Sequence, residues 1–435
     1  MNFETVKTYI LYILVGISLI LTFSLWNYQP IDDPLDNNEP LLDENEFSLG
    51  GKEHSKKELI TPSNIIFEKN NYYYGFKDPL DTQSLYREMQ SWNLNDIRET
   101  EANGRPNDNN LVEIKYPLPL PVSILPSLFS VDIEEERLPE WSFQQVYITF
   151  ESNQMLTIQF ISIDGRDQVK FNVTNAEKYD LLWDYLVNFN GLVEYMVFED
   201  SENPIYIPYN EVTLARQKLG FDTVDPLLLV NALFTSPDEV VKNPSRDNGD
   251  YYQDGVRTMR VSQDEISMEY TNPQQSSYDP VTADQLIDKS ITRINEFKGW
   301  INNFQVDSID TLENTIRYQM FFRGYPIYET SMLNIIEQQW RNNSLFQYSS
   351  PLFYITSSFE EENVQLDSGR DISYAIKSEY DLEKVQDIRV GYSIENIDSF
   401  SSLNSLKLVP SWYLKYNGYW QKISVEEINF NKGVS

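Results

Sequence analysis

The N-terminal part of the chain carries one uncharged apolar segment, which constrains the fold more than any other feature. Residues 8–26, with the sequence TYILYILVGISLILTFSLW, contain no charged side chain and are about long enough to cross the hydrocarbon layer as a helix. Tyr9 and Trp26 lie near its two ends, where amphipathic rings prefer the headgroup zone. The sequence therefore predicts one transmembrane helix over residues 8–28.

Basic residues on either side of this segment predict its orientation. Lys7 precedes the segment, whereas the next Lys or Arg after it is Lys52. Positively charged flanks tend to stay in the cytoplasm. We therefore expect residues 1–7 to form a cytoplasmic tail and the bulk of the chain to be extracytoplasmic, held at the cell membrane by a single pass.

A cleaved signal peptide is the alternative interpretation of the same segment. Its apolar core exceeds the usual length of roughly 7 to 15 residues, and the basic region before it is thin. The sequence TFSLWNYQP after the core offers no small-x-small cleavage site. These features favour an uncleaved anchor.

Charge and residue types exclude several classes of function. With 67 acidic and 34 basic side chains, the net charge of -33 repels nucleic acid, so we expect no nucleic-acid partner. The chain has no Cys, which excludes disulfides, thiol nucleophiles and Cys-ligated metals. His54 is the only His and lies in a polar stretch, so we do not expect catalysis by a histidine general base. We predict no enzymatic activity, no cofactor and no metal site.

The exterior is predicted to be α+β and multidomain, with antiparallel sheets and helices packed on one side. Three prolines and seven acidic residues before any base predict an extended, mobile linker after the membrane helix. The predicted divisions are an acidic linker over 29–56, an N-terminal α+β domain over 57–225, a middle domain over 226–281 and a C-terminal α+β domain over 282–435.

Hydrophobic periodicity predicts the main elements of this exterior. Alternation predicts consecutive strands over 142–152, 154–165 and 167–175. Helical spacing predicts helices over 81–94, 176–189, 227–240 and 282–301. Turn residues predict hairpins at Asp164-Gly165 and Asp254-Gly255 and a two-strand corner at Gly324. The segment 116–129 contains too much Pro for a central strand.

The chain contains none of the common catalytic motifs. A nucleophile elbow, a phosphate loop, a dinucleotide fingerprint and a paired-His metal motif are all absent. Two acidic clusters, at 164–167 and 246–255, lack the ligand spacing of a calcium loop and are interpreted as turns. A hydrolase that uses two carboxylates remains an alternative, because the two residues of such a pair can be distant in sequence and adjacent in the folded protein. Binding of cell-wall glycans by exposed aromatic rings is another alternative.

Five sequence strings, taken in order, resemble the YycH family: SLWNYQP, NALFTSPDEVVKN, YYQDGVRTMRV, VQDIRVGYSI and LVPSWYLKYNGYW. That family comprises extracytoplasmic regulators of the YycFG (WalKR) two-component system of low-GC Gram-positive bacteria, which senses the cell wall. The resemblance implies a non-enzymatic exterior of three domains. It also implies a transmembrane helix that associates with a YycI-like sister regulator and with a sensor histidine kinase of the YycG (WalK) type. The long acidic linker departs from the family pattern, so the spacing between membrane and first domain does not carry over.

One stripe of the predicted transmembrane helix is the candidate partner-binding face. At 3.6 residues per turn, the stripe comprises Thr8, Leu11, Val15, Ser18, Thr22 and Leu25. Ser18 and Thr22 form a small-xxx-small pair, which suits close helix packing in lipid. Alternatively, these hydroxyls bond to their own helix backbone and the stripe has no role. Together with the resemblance, the stripe predicts regulation of the kinase by helix contact; a glycan-binding or hydrolytic exterior is the competing hypothesis.

Overall fold

The computed structural model describes residues 48–131, 138–198, 203–245, 249–273, 280–329, 331–341, 344–398 and 404–425, together with Ser18. Residues 45–435 form one compact unit. Except for Ser18, which is helical and exposed, the predicted transmembrane helix and its partner-binding stripe lie outside the described residues. No helix within the described ranges is both long enough and apolar enough to span a membrane.

The helices begin at polar or proline-containing N-termini, as their sequences predict. In the longer helices the side chain of the residue before the first turn accepts a backbone N–H, as Asn175 does from Glu177 at 2.9 Å. The helices are α1 (Lys56–Leu59), α2 (Pro79–Gln90), α3 (Leu125–Leu128), α4 (Ala176–Asn188), α5 (Pro226–Leu233), α6 (Ala283–Glu296) and α7 (Gly369–Glu379). The four helices predicted from periodicity correspond to α2, α4, α5 and α6.

The first sheet has ten strands in the order β10-β9-β2-β1-β4-β6-β7-β8-β3-β5. All neighbours are antiparallel except β3 and β5. Its strands are β1 (Asn64–Lys69), β2 (Tyr72–Phe76), β3 (Asn93–Glu101), β4 (Asn110–Pro121), β5 (Ser130–Val131), β6 (Ser142–Glu151), β7 (Met155–Ser162), β8 (Asp167–Val173), β9 (Leu192–Val197) and β10 (Tyr206–Pro208). The predicted three-strand meander is β6, β7 and β8.

The second sheet has fourteen strands, with the path β12-β13-β14-β15-β20-β19-β17-β18-β22-β23-β11-β21 and with β16 beside β17 and β24 beside β23. Only β18 and β22 pair in parallel. Its strands are β11 (Val212–Thr223), β12 (Val241–Ser245), β13 (Gly249–Gln253), β14 (Thr258–Val261), β15 (Ser267–Thr271), β16 (Phe304–Asp310), β17 (Thr315–Phe322), β18 (Tyr325–Tyr328), β19 (Ile335–Arg341), β20 (Ser344–Pro351), β21 (Phe353–Leu366), β22 (Val385–Asp398), β23 (Ser405–Tyr416) and β24 (Tyr419–Ile423).

Apolar residues of both sheets meet in one main core. Phe67 and Phe160 of the first sheet and Tyr318 and Leu408 of the second are fully buried members of it. A second cluster gathers Ile207, Ile376, Trp412 and other residues beneath α7 and β23. The α+β class predicted from the sequence is confirmed.

The proline-rich segment corrects one prediction. Its first residues belong to β4, which is a central strand between β1 and β6. The pairing of β4 with β6 is interrupted between Lys115 and Leu120, and its pairing with β1 ends at Lys115. Pro117 and Pro119 therefore lie in the irregular stretch, where the lack of a backbone N–H does not break the ladder.

The end of the predicted linker also differs from the prediction. Leu49 is buried in the main core, and its backbone N–H donates to the carbonyl of Phe297 at 2.9 Å. A Cβ atom at Gly51 would lie 2.5 Å from the carbonyl oxygen of Lys298, so this close approach needs glycine. Residues 48–55 are thus part of the fold, because an apolar side chain and a glycine dock them beside α6. Residues 29–47 lie outside the described residues.

The predicted domain divisions do not coincide with sheet boundaries. β11 lies within the predicted N-terminal domain but pairs with β21 and β23 of the second sheet. β15 and β20 pair across the division predicted at residue 281. The division into domains therefore stays a prediction.

Candidate functional site

A cleft of about 340 Å³ lies where the two sheets face each other. Its wall on the first sheet includes residues of β1, β2, β9 and β10 and the start of α2. Its wall on the second sheet includes residues of β11, β16, β17, β18, β22 and β23. The cleft therefore depends on the packing of sequence regions that are far apart in the chain.

The turn between β17 and β18 holds the two walls together. Gly324 in this turn has φ of +82°, and a Cβ atom there would lie 2.9 Å from Cβ of Pro79. Pro79 begins α2, and the preceding Asp78 caps that helix by accepting the N–H of Leu80 at 2.9 Å. A glycine is thus required both for the turn and for close approach to the helix.

Asp387 and Arg389 form an ion pair beside the cleft. Oδ2 of Asp387 lies 2.7 Å from Nε and 2.6 Å from Nη2 of Arg389, and both side chains are 18% exposed. The guanidinium also lies over the ring of Trp420, with 5.3 Å to its centroid. Burial lowers the pKa of Arg389, but the negative charges of Asp387 and Asp307 outweigh it and raise the pKa. Arg389 is therefore held charged at the wall of the cleft.

Lys115 of the first sheet interacts with the same ion pair. Its Nζ donates to the carbonyl of Pro204 at 2.7 Å, and the residue is 5% exposed. Burial lowers the pKa of Lys115, while the charge of Asp387 opposes this shift. The charge of Asp387 on β22 thus favours the charged form of Lys115 on β4, whereas the charge of Arg389 opposes it.

Tyr328 lies beside this charged group with an unused hydroxyl. Its ring packs against Tyr413 and Trp420, with centroid separations of 4.2 and 4.7 Å. Its buried Oη has no hydrogen-bond partner among the described residues. Burial raises the pKa of Tyr328 well above 10, so this hydroxyl stays protonated and can donate.

A second buried cluster lies on the first sheet. Arg105 Nη2 is 2.6 Å from Glu68 Oε2 and 3.2 Å from Glu113 Oε2, and the hydroxyl of Tyr206 donates to Glu113 at 2.7 Å. Burial raises the pKa of Glu113 despite the opposing charge of Arg105. Tyr206 also lines the cleft, so the cluster supports one of its walls.

The other candidates from the sequence do not join this site. The ring of His54 contacts the ring of Trp300, with centroids 6.0 Å apart. The backbone N–H of His54 donates to Oδ1 of Asn295. Asp164 and Asp254 accept backbone N–H groups of their own turns, which confirms both predicted hairpins. Within the described ranges, no group of three or more acidic or His side chains is placed to hold a metal ion.

The buried charges in and beside the cleft were not identified from the sequence, although a signal exists. Glu113 and Lys115 alternate with apolar residues in VEIKY, as do Asp387 and Arg389 in QDIRV. A charge flanked by apolar residues within a strand often faces solvent, so the pattern alone does not reveal burial. Of the predicted partner-binding stripe, only Ser18 is described, and the other five residues lie outside the described residues.

Known proteins match this chain over almost its whole length. The sequence model of the YycH protein N-terminal domain matches residues 4–190, and that of the YycH protein C-terminal domain matches residues 202–429. The chain is 19% identical over 441 residues to the two-component system WalR/WalK regulatory protein YycH of Bacillus subtilis strain 168, covering 96% of both chains. The crystal structure of YycH from Bacillus subtilis superposes with a TM-score of 0.69 at 15% identity, over 86% of this chain and 98% of that chain.

Proposed function

The chain belongs to the YycH family, and from this membership we propose that it is a membrane-anchored regulator of a sensor histidine kinase. The kinase belongs to a WalR/WalK-type two-component system that responds to the state of the cell wall. The observation that carries the proposal is the match of both family domains, in order, over almost the entire chain. The relative from Bacillus subtilis, which bears the name of a regulator of this system, supports the same role.

The working contact in this proposal is the N-terminal transmembrane helix. Residues 8–26 are uncharged and long enough to span the bilayer, with the cytoplasmic end at Lys7. The stripe of Thr8, Leu11, Val15, Ser18, Thr22 and Leu25 faces the kinase helix and that of a YycI-like regulator. Helix pairing in lipid depends on small residues and interhelical hydrogen bonds, and Ser18 and Thr22 supply both.

Regulation by contact is the mechanism, and the exterior acts as a scaffold outside the membrane. Family membership favours this role over the competing hypothesis of a hydrolase. The cleft does include the carboxylates Glu194, Glu211 and Asp307, but Trp412 in its wall is only 2% exposed, so the described lining lacks the exposed tryptophan expected beside the carboxylate pair of a glycan hydrolase.

The test is co-purification from membranes of the host. The tagged chain is compared with a variant whose residues 8–28 are replaced by an unrelated transmembrane helix of equal length, so that anchoring is kept. We expect the unchanged chain to retain the sensor kinase and the YycI-like regulator and the variant to lose them. Equal recovery of the kinase by both chains would contradict a helix contact.

A further inference from the structure

We propose that the cleft between the two sheets binds a neutral saccharide of one or two rings. The proposal concerns the exterior alone and does not depend on how the membrane helix acts. It rests on the size of the cleft, the charge balance of its wall, the polar groups fixed in the wall and one unused buried hydroxyl.

The size of the cleft suits a small ligand. Its volume of about 340 Å³ falls at the lower end of the range of roughly 300–1,000 Å³ found for small-molecule sites. The ligand would contact both sheets, since Asn64 and Tyr195 come from the first sheet and Gln305 and Tyr325 from the second. Binding would therefore stabilise the observed packing of the two sheets.

The charge balance of the wall disfavours an anionic ligand. The cationic side chains that line the cleft are Lys77 and Arg389, and Arg389 is already neutralised by Asp387. The anionic ones are Glu194, Glu211 and Asp307. No excess of positive charge remains for a phosphate or carboxylate, whose desolvation would go uncompensated.

Fixed amide groups and aromatic faces lie side by side in the wall. Oε1 of Gln305 accepts the hydroxyl of Thr61 at 2.6 Å, and Gln319 donates to the carbonyl of Ile327, so both amides are held in place. Half-buried rings of Tyr195, Phe321 and Tyr325 lie in the same lining. A saccharide ring combines hydroxyl edges with an apolar C–H face and so matches this mixture, with the rings contacting the apolar face.

The hydroxyl of Tyr328 is a buried donor in the cleft wall that no described residue accepts. The residue is 7% exposed, lines the cleft, and has no partner for its Oη among the described residues. Buried hydroxyl groups in native proteins almost always have a partner. A sugar oxygen that accepts this O–H would satisfy it.

The test uses the full 435-residue chain in detergent micelles and two neutral probes, maltose and N,N′-diacetylchitobiose. Saturation-transfer NMR and calorimetric titration up to about 10 mM measure binding, and N-acetylneuraminic acid serves as the anionic comparison. We expect saturable binding of at least one neutral probe and at least about tenfold weaker binding of the acid. Binding of neither neutral probe, or tighter binding of the acid, would overturn the proposal.

Two exposed threonines of β11 offer a matched pair of variants. Thr213 lines the cleft, whereas Thr223 at the other end of the same strand does not. We expect Thr213→Trp to weaken probe binding at least about tenfold and Thr223→Trp to leave it unchanged, with the circular dichroism of both variants native. Tyr328→Phe should weaken binding about fivefold, the value of one neutral hydrogen bond. Equal binding by Thr213→Trp and the unchanged chain would place the ligand elsewhere.

Discussion

Gly324, in the turn between β17 and β18, lies so close to Pro79 at the start of α2 that a Cβ atom on the glycine would approach Cβ of Pro79 to 2.9 Å. The two residues are 245 positions apart, and they join the two walls of the cleft. The turn of the second sheet therefore packs directly on α2, and apolar residues of both sheets share the main core.

The first prediction isolates this contact with two glycines in similar turns. Gly324 follows Arg323, and Gly418 follows Asn417, all four with positive φ, but a Cβ atom at Gly418 would have no neighbour within 4 Å. Gly418→Ala should cost about 1 kcal/mol from backbone strain alone. Gly324→Ala should cost roughly 1–3 kcal/mol more, because the methyl group overlaps Pro79. Urea unfolding measures both, and equal losses would show that the contact is not tight.

The second prediction compares two buried tyrosine hydroxyls. The hydroxyl of Tyr318 lies 2.8 Å from that of Ser290, whereas that of Tyr328 has no partner among the described residues. Tyr318→Phe should lower the free energy of unfolding by about 1–2 kcal/mol, and Tyr328→Phe should leave it unchanged or raise it slightly. A loss at Tyr328 as large as that at Tyr318 would indicate that its hydroxyl is bonded in the free protein.

The third prediction concerns pH and the cluster around Glu113. Burial raises the pKa of Glu113 from its ordinary 4.5. A raised carboxyl pKa contributes stability that is fully present below the unfolded pKa and is lost as pH rises through the folded pKa. Arg105→Met removes the cation that stabilises the ionised form of Glu113. The substitution should therefore lower the free energy of unfolding by about 3 kcal/mol near pH 8 and by less near pH 5.

The control for this prediction is an exposed ion pair on the second sheet. Arg317 pairs with Glu337, and its side chain is 47% exposed. Arg317→Met should cost less than about 1 kcal/mol at both pH values. Stability differences are taken between each variant and the unchanged chain at the same pH. A loss in Arg105→Met that does not shrink on acidification would show that Glu113 does not take up the proton.

The fourth prediction concerns the start of the folded exterior. The divisions predicted from the sequence place the start of the folded exterior at residue 57. The structure adds Leu49, buried in the main core, and Lys56, whose Nζ lies 3.0 Å from Asp284 and 2.8 Å from Asp288. A truncated chain over residues 45–435 should melt cooperatively, and one over 57–435 should be less stable by about 2 kcal/mol, chiefly from the loss of buried Leu49. Identical melting of the two chains would show that residues 48–56 contribute nothing.

The elements of the exterior could be predicted because their signals are local. In α6 the buried residues Ile287, Ile291 and Ile294 follow helical spacing, and Asp254-Gly255 lies in the turn between β13 and β14. Pro117 and Pro119 misled the prediction because a bulge accommodates them within a central strand.

The cleft could not be predicted, because its residues become neighbours only through the packing of the sheets. Asn64 and Arg389, on opposite walls, are 325 positions apart, and the sequence around neither residue indicates the other. Two of the strings that indicated the family do contribute to it: VQDIRVGYSI supplies Ile388, Arg389 and Val390, and LVPSWYLKYNGYW supplies Trp412. The sequence strings that indicated the family thus include residues of the cleft wall.

We propose that the small residues of the predicted membrane helix regulate the kinase by helix contact. The direct measurements are kinase-dependent transcription and co-purification of the partners. Both are made in cells that carry the correctly inserted double variant Ser18→Leu, Thr22→Leu. Ile20→Phe, on the other side of the predicted helix, is the control. Each interhelical hydrogen bond is worth only about 0.6–2 kcal/mol, so the account predicts partial loss of pairing and altered transcription in the double variant and neither in the control. Unchanged transcription and unchanged pairing in the double variant would contradict it.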